Sequence, residues 1–430
     1  MKHLTLLALG SRGDVQPLIA LGLQLVAGGH LVRVVAAADY EPLVAAYGLP
    51  FAPAGGSIRD VLRPDAVHDA FDSAANPLGF GLRFLREIDP LVTRILVDCA
   101  AAAADADALI VTTLGQFVGD TLAEQLGIPC HVVHMHPQSV TRAWPSMFFP
   151  SLPDWAPAHG AYNRLTHRLG EHGFWQLLHG PLERARTAVF GAPPRGRIAR
   201  ARRVHRRNRR VLYAYSPHVA PSPPDWGREV MVTGYWWLPD PPGWQPQPEL
   251  LAFLAAGPAP IYIGFGSILA GRDPNGVTAL LVRALHMTGR RGIIYRGWGD
   301  LGNIELPPDV LAVDAVPHGW LFGRVEAVIH HGGAGTTAAG LRAGRPTVTV
   351  PFFGDQRFWG ARVAALGAGP QPIPRPALTA ERLAAALHRA TEDPAILNGA
   401  ADAALCLASE QGLTRALAAL GLGWAFLCNS

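Results

Sequence analysis

Ten residues constrain the fold more than any others: Val328-Ile-His-His-Gly-Gly-Ala-Gly-Thr-Thr337. Val328 and Ile329 read as a buried strand, and Ala334 to Ala343 as a helix. Between them Gly332 and Gly333, with Gly335 just beyond, let the backbone bend and approach a ligand closely. A strand running through a short turn into a helix is the unit of a parallel α/β sheet. The N-terminus of such a helix presents backbone N–H groups and attracts anions, and a diphosphate suits it. His331 adds a side-chain donor and Thr336 a hydroxyl. Without a ligand the same glycines would make a plain tight turn. The His-His pair, the threonines and the downstream Pro351-Phe-Phe-Gly-Asp-Gln356 favour a nucleotide diphosphate site.

The rest of the chain alternates in the same way. A strand at His3–Leu9 precedes a helix at Val15–Gly28 and a strand at Leu31–Ala38. Further strands fall at Leu109–Leu114 and His131–Val133, around a helix near Gln116–Leu126. Residues 140–210, rich in Trp, Pro, Phe and Arg, read as inserted loops and helices. Strands at Val211–Ser216 and Val230–Gly234 lead to five prolines between Pro239 and Pro248, the best linker candidate. A second alternating run follows, with strands at Ile261–Phe265, Gly292–Arg296, Ala312–Val316, Ala327–His330 and Thr347–Val350. Residues Thr379–Leu420 read as helical.

The expected organisation is therefore an α/β domain over 1–238 and a Pro-rich linker over 239–258. A second α/β domain covers 259–400, and a helical tail over 401–430 is placed to cross back to the first. The 430 residues suit two domains of ordinary size. Apolar residues at 49% and charged residues at 16% fit a globular chain. A net charge of +4 is too small to argue for nucleic acid. Cys99, Cys130, Cys406 and Cys428 form no CxxC pair, which argues against a zinc site or a disulfide framework. No leader peptide and no apolar run of membrane-spanning length is read, so a cytoplasmic protein is expected.

These motifs carry a family resemblance over nearly the whole chain. Gly10-Ser-Arg-Gly-Asp-Val-Gln-Pro17, Tyr213-Ala-Tyr-Ser-Pro, Pro224-Asp-Trp-Gly and Val232-Thr-Gly-Tyr-Trp-Trp lie in its first half. Gly264-Phe-Gly-Ser-Ile, Val316-Pro-His-Gly-Trp-Leu-Phe and the His-His-Gly-Gly turn lie in its second. Together they resemble the GT-B nucleotide-sugar glycosyltransferases, with the middle motifs most like the sterol branch and others like the bacterial antibiotic and lipid enzymes. The resemblance implies two Rossmann-like domains facing each other across a cleft. The C-terminal one would hold the nucleotide sugar and the N-terminal one the acceptor. It also implies metal-independent transfer with inversion at the anomeric carbon.

Such a transfer needs a base for the acceptor hydroxyl and support for the departing diphosphate. Asp14, on the turn after the first strand, is the candidate base; a helix N-cap, with Pro17 in the first turn, is the structural alternative. In plant relatives a His holds this place and an Asp orients it. Here the partner position falls near Thr113, so that dyad is absent. The resemblance places Ser11, Arg12, Gly13, Ser267, Val316, Trp320, His331, Gly333, Ala334, Gly335 and Thr336 at the donor, and Asp355 and Gln356 at the sugar hydroxyls. Arg12 fits a diphosphate neighbour or a plain surface arginine equally well. The uracil-stacking Trp of the plant motif falls at Ala315 and its ribose-binding Glu at Ala339. Trp320 is a stacking candidate or a core residue, and uridine and thymidine nucleotides both stay open, with UDP-glucose expected.

His136, Trp144, Phe148 and Phe149 are the candidate acceptor wall, with Trp155 adding apolar area for a large flat ligand. His131, His134 and His136 lack the further ligands a metal site needs, with His134 and His136 expected on one strand face. Asp105-Ala-Asp107 reads as a solvated helix end. Arg195–Arg210 holds nine arginines and no acid, which suits either a solvated basic segment or anionic lipid headgroups at the membrane's inner face. Two rivals share the architecture. A nucleotide-sugar epimerase needs no acceptor wall, and a non-catalytic donor-binding helper tends to lose the base or the phosphate grip.

Overall fold

The computed structural model describes residues 1–57, 91–153, 155–191, 209–266, 273–297 and 301–422. Ser267 and most of Arg195–Arg210 lie outside the described residues. The chain forms two compact units. The first comprises Met1–Tyr215, Ser222–Leu238 and Gln411–Ser430; the second comprises Ser216–Pro221 and Pro239–Glu410.

The first unit is built on seven parallel strands. They are β1 (His3–Leu7), β2 (Leu31–Ala36), β3 (Phe51–Pro53), β4 (Ala108–Thr112), β5 (Cys130–His134), β6 (Val211–Tyr213) and β7 (Val230–Val232), in the order β3-β2-β1-β4-β5-β6-β7. Leu4, Leu6 and Leu7 of β1 and Leu109, Ile110 and Val111 of β4 are all buried. Such runs are apolar on both faces because helices cover both faces of a parallel sheet. Helix α1 (Arg12–Ala27) turns Val15, Leu18, Ile19, Leu21 and Leu25 inward. It begins three residues earlier than the pattern suggests, with Ser11 as N-cap. Asp14 is therefore not the cap, and Pro17 stands inside the helix rather than in its first turn.

After α2 (Glu41–Ala45) and α3 (Gln116–Leu126), the described part of the 140–210 region contains a long helix, α4 (His159–Phe190). Its glycines, histidines and Pro181 blur the apolar period that would reveal it.

The second unit opens with α5 (Pro248–Ala255), where Pro248 sits at the first helical position that tolerates it. The linker candidate thus carries a helix, and Leu250 of that helix packs with Tyr262, Phe322 and Val328. Five parallel strands follow: β8 (Ile261–Gly264), β9 (Gly292–Tyr295), β10 (Val310–Val313), β11 (Val328–His330) and β12 (Thr347–Thr349), in the order β10-β9-β8-β11-β12. Between them run α6 (Pro274–Met287), the single turn α7 (His318–Leu321) and α8 (Ala334–Arg342), with α9 (Gln356–Ala365) after β12. β10 ends before the expected Val316, where Asp314 and Ala315 are exposed.

The helical end resolves into α10 (Ala380–Glu392), α11 (Pro394–Ala408) and α12 (Gly412–Leu420). Asp393 ends α10 and caps α11, its carboxylate accepting from Ala395 N–H at 3.0 Å. α12 groups with the first unit, where Gly412 lies directly against the Gly234–Tyr235 backbone, leaving no room for a Cβ. Among the described residues no helix is long and apolar enough to cross a membrane.

Candidate functional site

Each sheet reverses its strand order once, and parallel sheets bind ligands beyond the carboxyl ends of the strands at that point. In the second unit the reversal lies between β8 and β11. Three loops meet there. Gly332 adopts φ +91°, and a Cβ on it would stand 2.7 Å from the Gln356 carbonyl oxygen. A Cβ on Gly266 would reach within 2.9 Å of His331 Cε1, and one on Gly333 would collide with His331 Nε2. The imidazole of His331 is therefore clasped between the β8 and β11 turns, and only glycines leave it room.

Gly333 is the extended N-cap of α8, and Thr337 N–H makes the first helical bond back to it at 2.9 Å. The N–H groups of Ala334, Gly335 and Thr336 precede that bond and have no intrahelical acceptor. No acid stands in this first turn. Burial lowers the His331 pKa to about 4 against a smaller opposing pull from the Gly264 backbone, so the ring is neutral near pH 7. Among the described residues its Nδ1 is buried without a hydrogen-bond partner, although the residue as a whole keeps some exposure.

His330, the residue before, was not among the sequence candidates. It is fully buried, and its Nδ1 accepts from Gly332 N–H at 2.9 Å. That bond requires an unprotonated Nδ1, and burial holds the pKa well below the ordinary value. The doubled histidine was the available signal: one ring sits at the site and the other fixes the turn beneath it.

In the first unit the reversal lies between β1 and β4. Thr112 Oγ1 donates to Leu9 O at 2.9 Å and ties the two strand ends together. Gly10, at φ +142°, leaves its side-chain space to the Asp14 carboxylate. Asp14 Oδ2 accepts from Ser11 N–H at 2.8 Å and Ser11 Oγ–H at 3.1 Å, the reach-back arm of a capping box. Tyr40 packs nearby; burial, with the Asp14 charge next, pushes its phenol up to about 12.

Thr113, one strand over, pairs its Oγ1 with His134 Nδ1 at 2.9 Å. His134 is buried and neutral, its pKa well below the ordinary value through burial. Where the plant pattern has an acid, this chain has a hydroxyl on a neutral imidazole.

Two family profiles match the chain. The glycosyltransferase family 28 N-terminal domain covers residues 4–145, and the erythromycin biosynthesis protein CIII-like C-terminal domain covers residues 299–412. A sterol 3-beta-glucosyltransferase of Arabidopsis thaliana is 36% identical over 97% of this chain and 65% of its own length. One of Aspergillus terreus is 34% identical over 97% of this chain and 30% of its own length. These profiles and relatives make the chain similar to the glycosyltransferases of the GT-B fold. The chain spans about a third of the fungal relative and two thirds of the plant one.

Among solved structures, the glycotransferase of kitacinnamycin superposes with a TM-score of 0.67 at 20% identity, covering 98% of both chains. The thymidine diphosphate complex of a Streptomyces sp. SF2575 glycosyltransferase gives 0.60 at 19%, covering 98% of this chain and 99% of that one. At these identities the likeness is one of fold.

The remaining candidate residues fall into place unevenly. Asp355 Oδ2 accepts from Trp359 Nε1 at 2.9 Å. Gln356 is buried, and its Oε1 accepts from Phe352 N–H at 2.7 Å and Phe353 N–H at 3.1 Å. The Gln356 carbonyl thus holds the loop that carries the pair. Trp320 carries the Arg324 guanidinium 4.2 Å above its ring and meets Trp244 edge-on at 5.4 Å. Val316 packs beside it against the Leu250–Phe322 core.

Of the acceptor candidates, Trp144 meets Trp226 edge-on, and Trp226 stacks on Tyr213 at 4.6 Å. The loop bearing them is pinned by Asp225, which accepts from Thr141 Oγ1 at 2.7 Å and Arg142 N–H at 2.8 Å. Asp225 stands in the Pro224-Asp-Trp-Gly motif, yet its role could not be read from spacing. Phe149 is half-buried and Phe148 exposed.

His136 lies past the end of β5 and contacts Gln138. His134 and His136 therefore do not share a strand face as expected. Among the described residues no cluster suits a metal ion. Asp105 is not merely solvated: it pairs with Arg33 at 2.7 Å, while Asp107 accepts from His3 N–H at 2.8 Å. Arg209, at the described end of the arginine-rich segment, pairs with Asp120 at 3.0 Å.

Proposed function

We propose that the protein moves a hexose, glucose foremost, from a UDP-sugar to the hydroxyl of a lipophilic acceptor such as a sterol, triterpenoid or polyketide, with inversion and without a metal. The observation that carries this reading is the second unit's turn. There three helix amides without an intrahelical acceptor and a neutral imidazole converge at the sheet's reversal point. Backbone amides and a neutral donor suit a diphosphate whose charge grows as it leaves.

In the reaction the acceptor oxygen attacks the anomeric carbon while its proton passes to the Asp14 carboxylate. The bond from that carbon to the diphosphate oxygen breaks, and its electron pair departs with the nucleotide. Ser11 orients the Asp14 carboxylate through Oδ2. The two hydrogen bonds donated by Ser11 hold that carboxylate in place to take the proton from a hydroxyl that grows acidic as it bonds to the anomeric carbon. Thr113 with neutral His134 stands where a second carboxylate would otherwise be. The sterol 3-beta-glucosyltransferase relatives support the acceptor class, and the aromatic residues Trp144, Phe148 and Phe149 support a flat apolar ligand.

The test is nucleotide diphosphate release from UDP-glucose and dTDP-glucose in EDTA, across sterols, triterpenoids and polyketides. Release with UDP-glucose that requires a lipophilic acceptor is expected. Release that needs a divalent metal, or that ignores the acceptor, contradicts the reading.

A further inference from the structure

Tyr213 ends β6 beside His134, its register partner at the end of β5, and the two rings lie 5.3 Å apart. Both strand ends lie on the sheet's carboxyl edge, where parallel sheets bind ligands. Ala214 N–H donates to His134 O at 3.0 Å and closes the last rung. Beyond that rung the chain turns through 135–139, and the phenol meets the turn. Tyr213 Oη accepts from Gln138 N–H at 3.1 Å and from Ser139 N–H at 2.6 Å, and it donates to Ser139 Oγ at 2.8 Å. These bonds use the hydroxyl as acceptor and donor alike. Burial pushes the phenol up to about 12, so it keeps the proton it donates.

A tyrosine that only filled the core would be served as well by phenylalanine. Here the side chain is fully buried, and its polar end satisfies two successive backbone amides. The ring has a second task. Trp226 stacks on it at 4.6 Å with the planes 11° apart, and Trp226 meets Trp144 edge-on at 6.3 Å. Asp225, next to Trp226 in the chain, holds Thr141 and Arg142 between these two points. Gln138 in turn contacts His136. One side chain thus serves both ends of the 138–144 stretch, and His136 and Trp144, two of the acceptor candidates, depend on it from either side.

We propose that Tyr213 is the positioning residue of the acceptor wall. Its hydroxyl fixes the 138–139 turn and with it His136, and its ring seats Trp226 against Trp144. That this wall receives a flat lipophilic acceptor rests on the proposed function; the clamp itself does not. Tyr213 belongs to the first unit, whereas the donor turn lies in the second.

The test uses the full chain and its Tyr213→Phe variant, which keeps the ring and its stack and removes only Oη. Amide hydrogen exchange over residues 136–144 should quicken by about tenfold or more, the effect of losing one hydrogen bond, while β1 and the β11–α8 turn keep their wild-type rates. With an acceptor that the wild type glycosylates, its KM should rise by about 5–30-fold, with kcat and UDP affinity unchanged within about twofold. Ser139→Ala removes the group that takes the phenol's proton and leaves both amide bonds. It should move exchange and KM the same way by a smaller factor, about threefold. Should Tyr213→Phe not fold, Ser139→Ala carries the test, and wild-type exchange in it counts against the proposal. Wild-type exchange over 136–144 in a folded Tyr213→Phe would overturn it. So would exchange that quickens equally in β1, because the tyrosine would then serve the whole unit, or a fall in kcat at constant KM. If the exchange result holds while the wild type glycosylates no lipophilic acceptor, the clamp stands and the acceptor reading falls.

Discussion

The two strand-order reversals solve different problems with different materials. In the second unit, the turn at Gly332–Thr336 works through backbone: its donors are amides, and its shape comes from glycines that leave room for His331. In the first unit, the corresponding place works through side chains: Asp14 on Ser11, Thr113 on His134, and a loop pinned from afar by Asp225. The lesson is one of tolerance. A site made of backbone can be damaged only by changing the turn, whereas a site made of side chains can be retuned one residue at a time. That asymmetry suits the proposed activity, in which the donor chemistry is fixed and the acceptor varies.

The sharpest way to break this comparison is at Asp14. Asp14→Asn should lower acceptor-dependent turnover by ~10²–10⁴-fold, the usual worth of a general base, as measured by nucleotide release. A loss under tenfold would move the base elsewhere.

Next comes the turn itself. His330→Leu leaves the Gly332 N–H buried without an acceptor, a penalty of about 1–3 kcal/mol, and should weaken UDP binding by roughly ten- to a hundredfold. His330→Asn keeps an acceptor near the position of Nδ1 and should restore most of it. Equal affinities for the two variants would show that His330 merely fills space.

Asp225→Ala should release the 141–150 loop. We expect the acceptor KM to rise by ~5–30-fold while the UDP Kd stays put, since only hydrogen bonds to Thr141 and Arg142 are lost. A shift in the UDP Kd instead would mean that the units do not divide the work as described.

The smallest expected effect is in pH. His131 in the first unit and His331 in the second are both lowered to about 4 by burial. Each is neutral when folded and takes a proton when unfolded below about pH 6.5, so the unfolded state gains protons first as pH falls. Each should therefore cost about 1 kcal/mol of stability between pH 7 and 5.5, read as a lower Tm. A Tm that stays level over that range would show these rings to be charged or exposed.

How much was legible follows from the same contrast. The β11–α8 turn could be read because consecutive glycines between a strand and a helix have few other uses. The strands could be read because residues such as Leu109–Val111 are apolar without alternation, as a doubly covered sheet requires. The start of α1 was misplaced because Asp14 looks like an N-cap until Ser11 is seen to hold that role. Helices were expected in 140–210, but the bounds of α4 could not be read because Gly170, Gly173 and Pro181 interrupt its apolar period. Asp225 was invisible as a pin because its partners Thr141 and Arg142 lie more than eighty positions away. Gln356 was placed at the sugar by resemblance, but the structure commits its carbonyl oxygen to the Phe352 and Phe353 amides, a local bond that no motif announces.

The most direct measurement is a calorimetric titration of UDP into the wild type, Asp14→Asn and Gly333→Ala. In the third variant the added methyl displaces His331 from the turn. The account predicts equal affinity within about twofold for the first two and a loss of at least about tenfold for the third. Failure of the wild type to bind, or a loss in Asp14→Asn as large as that in Gly333→Ala, would contradict it.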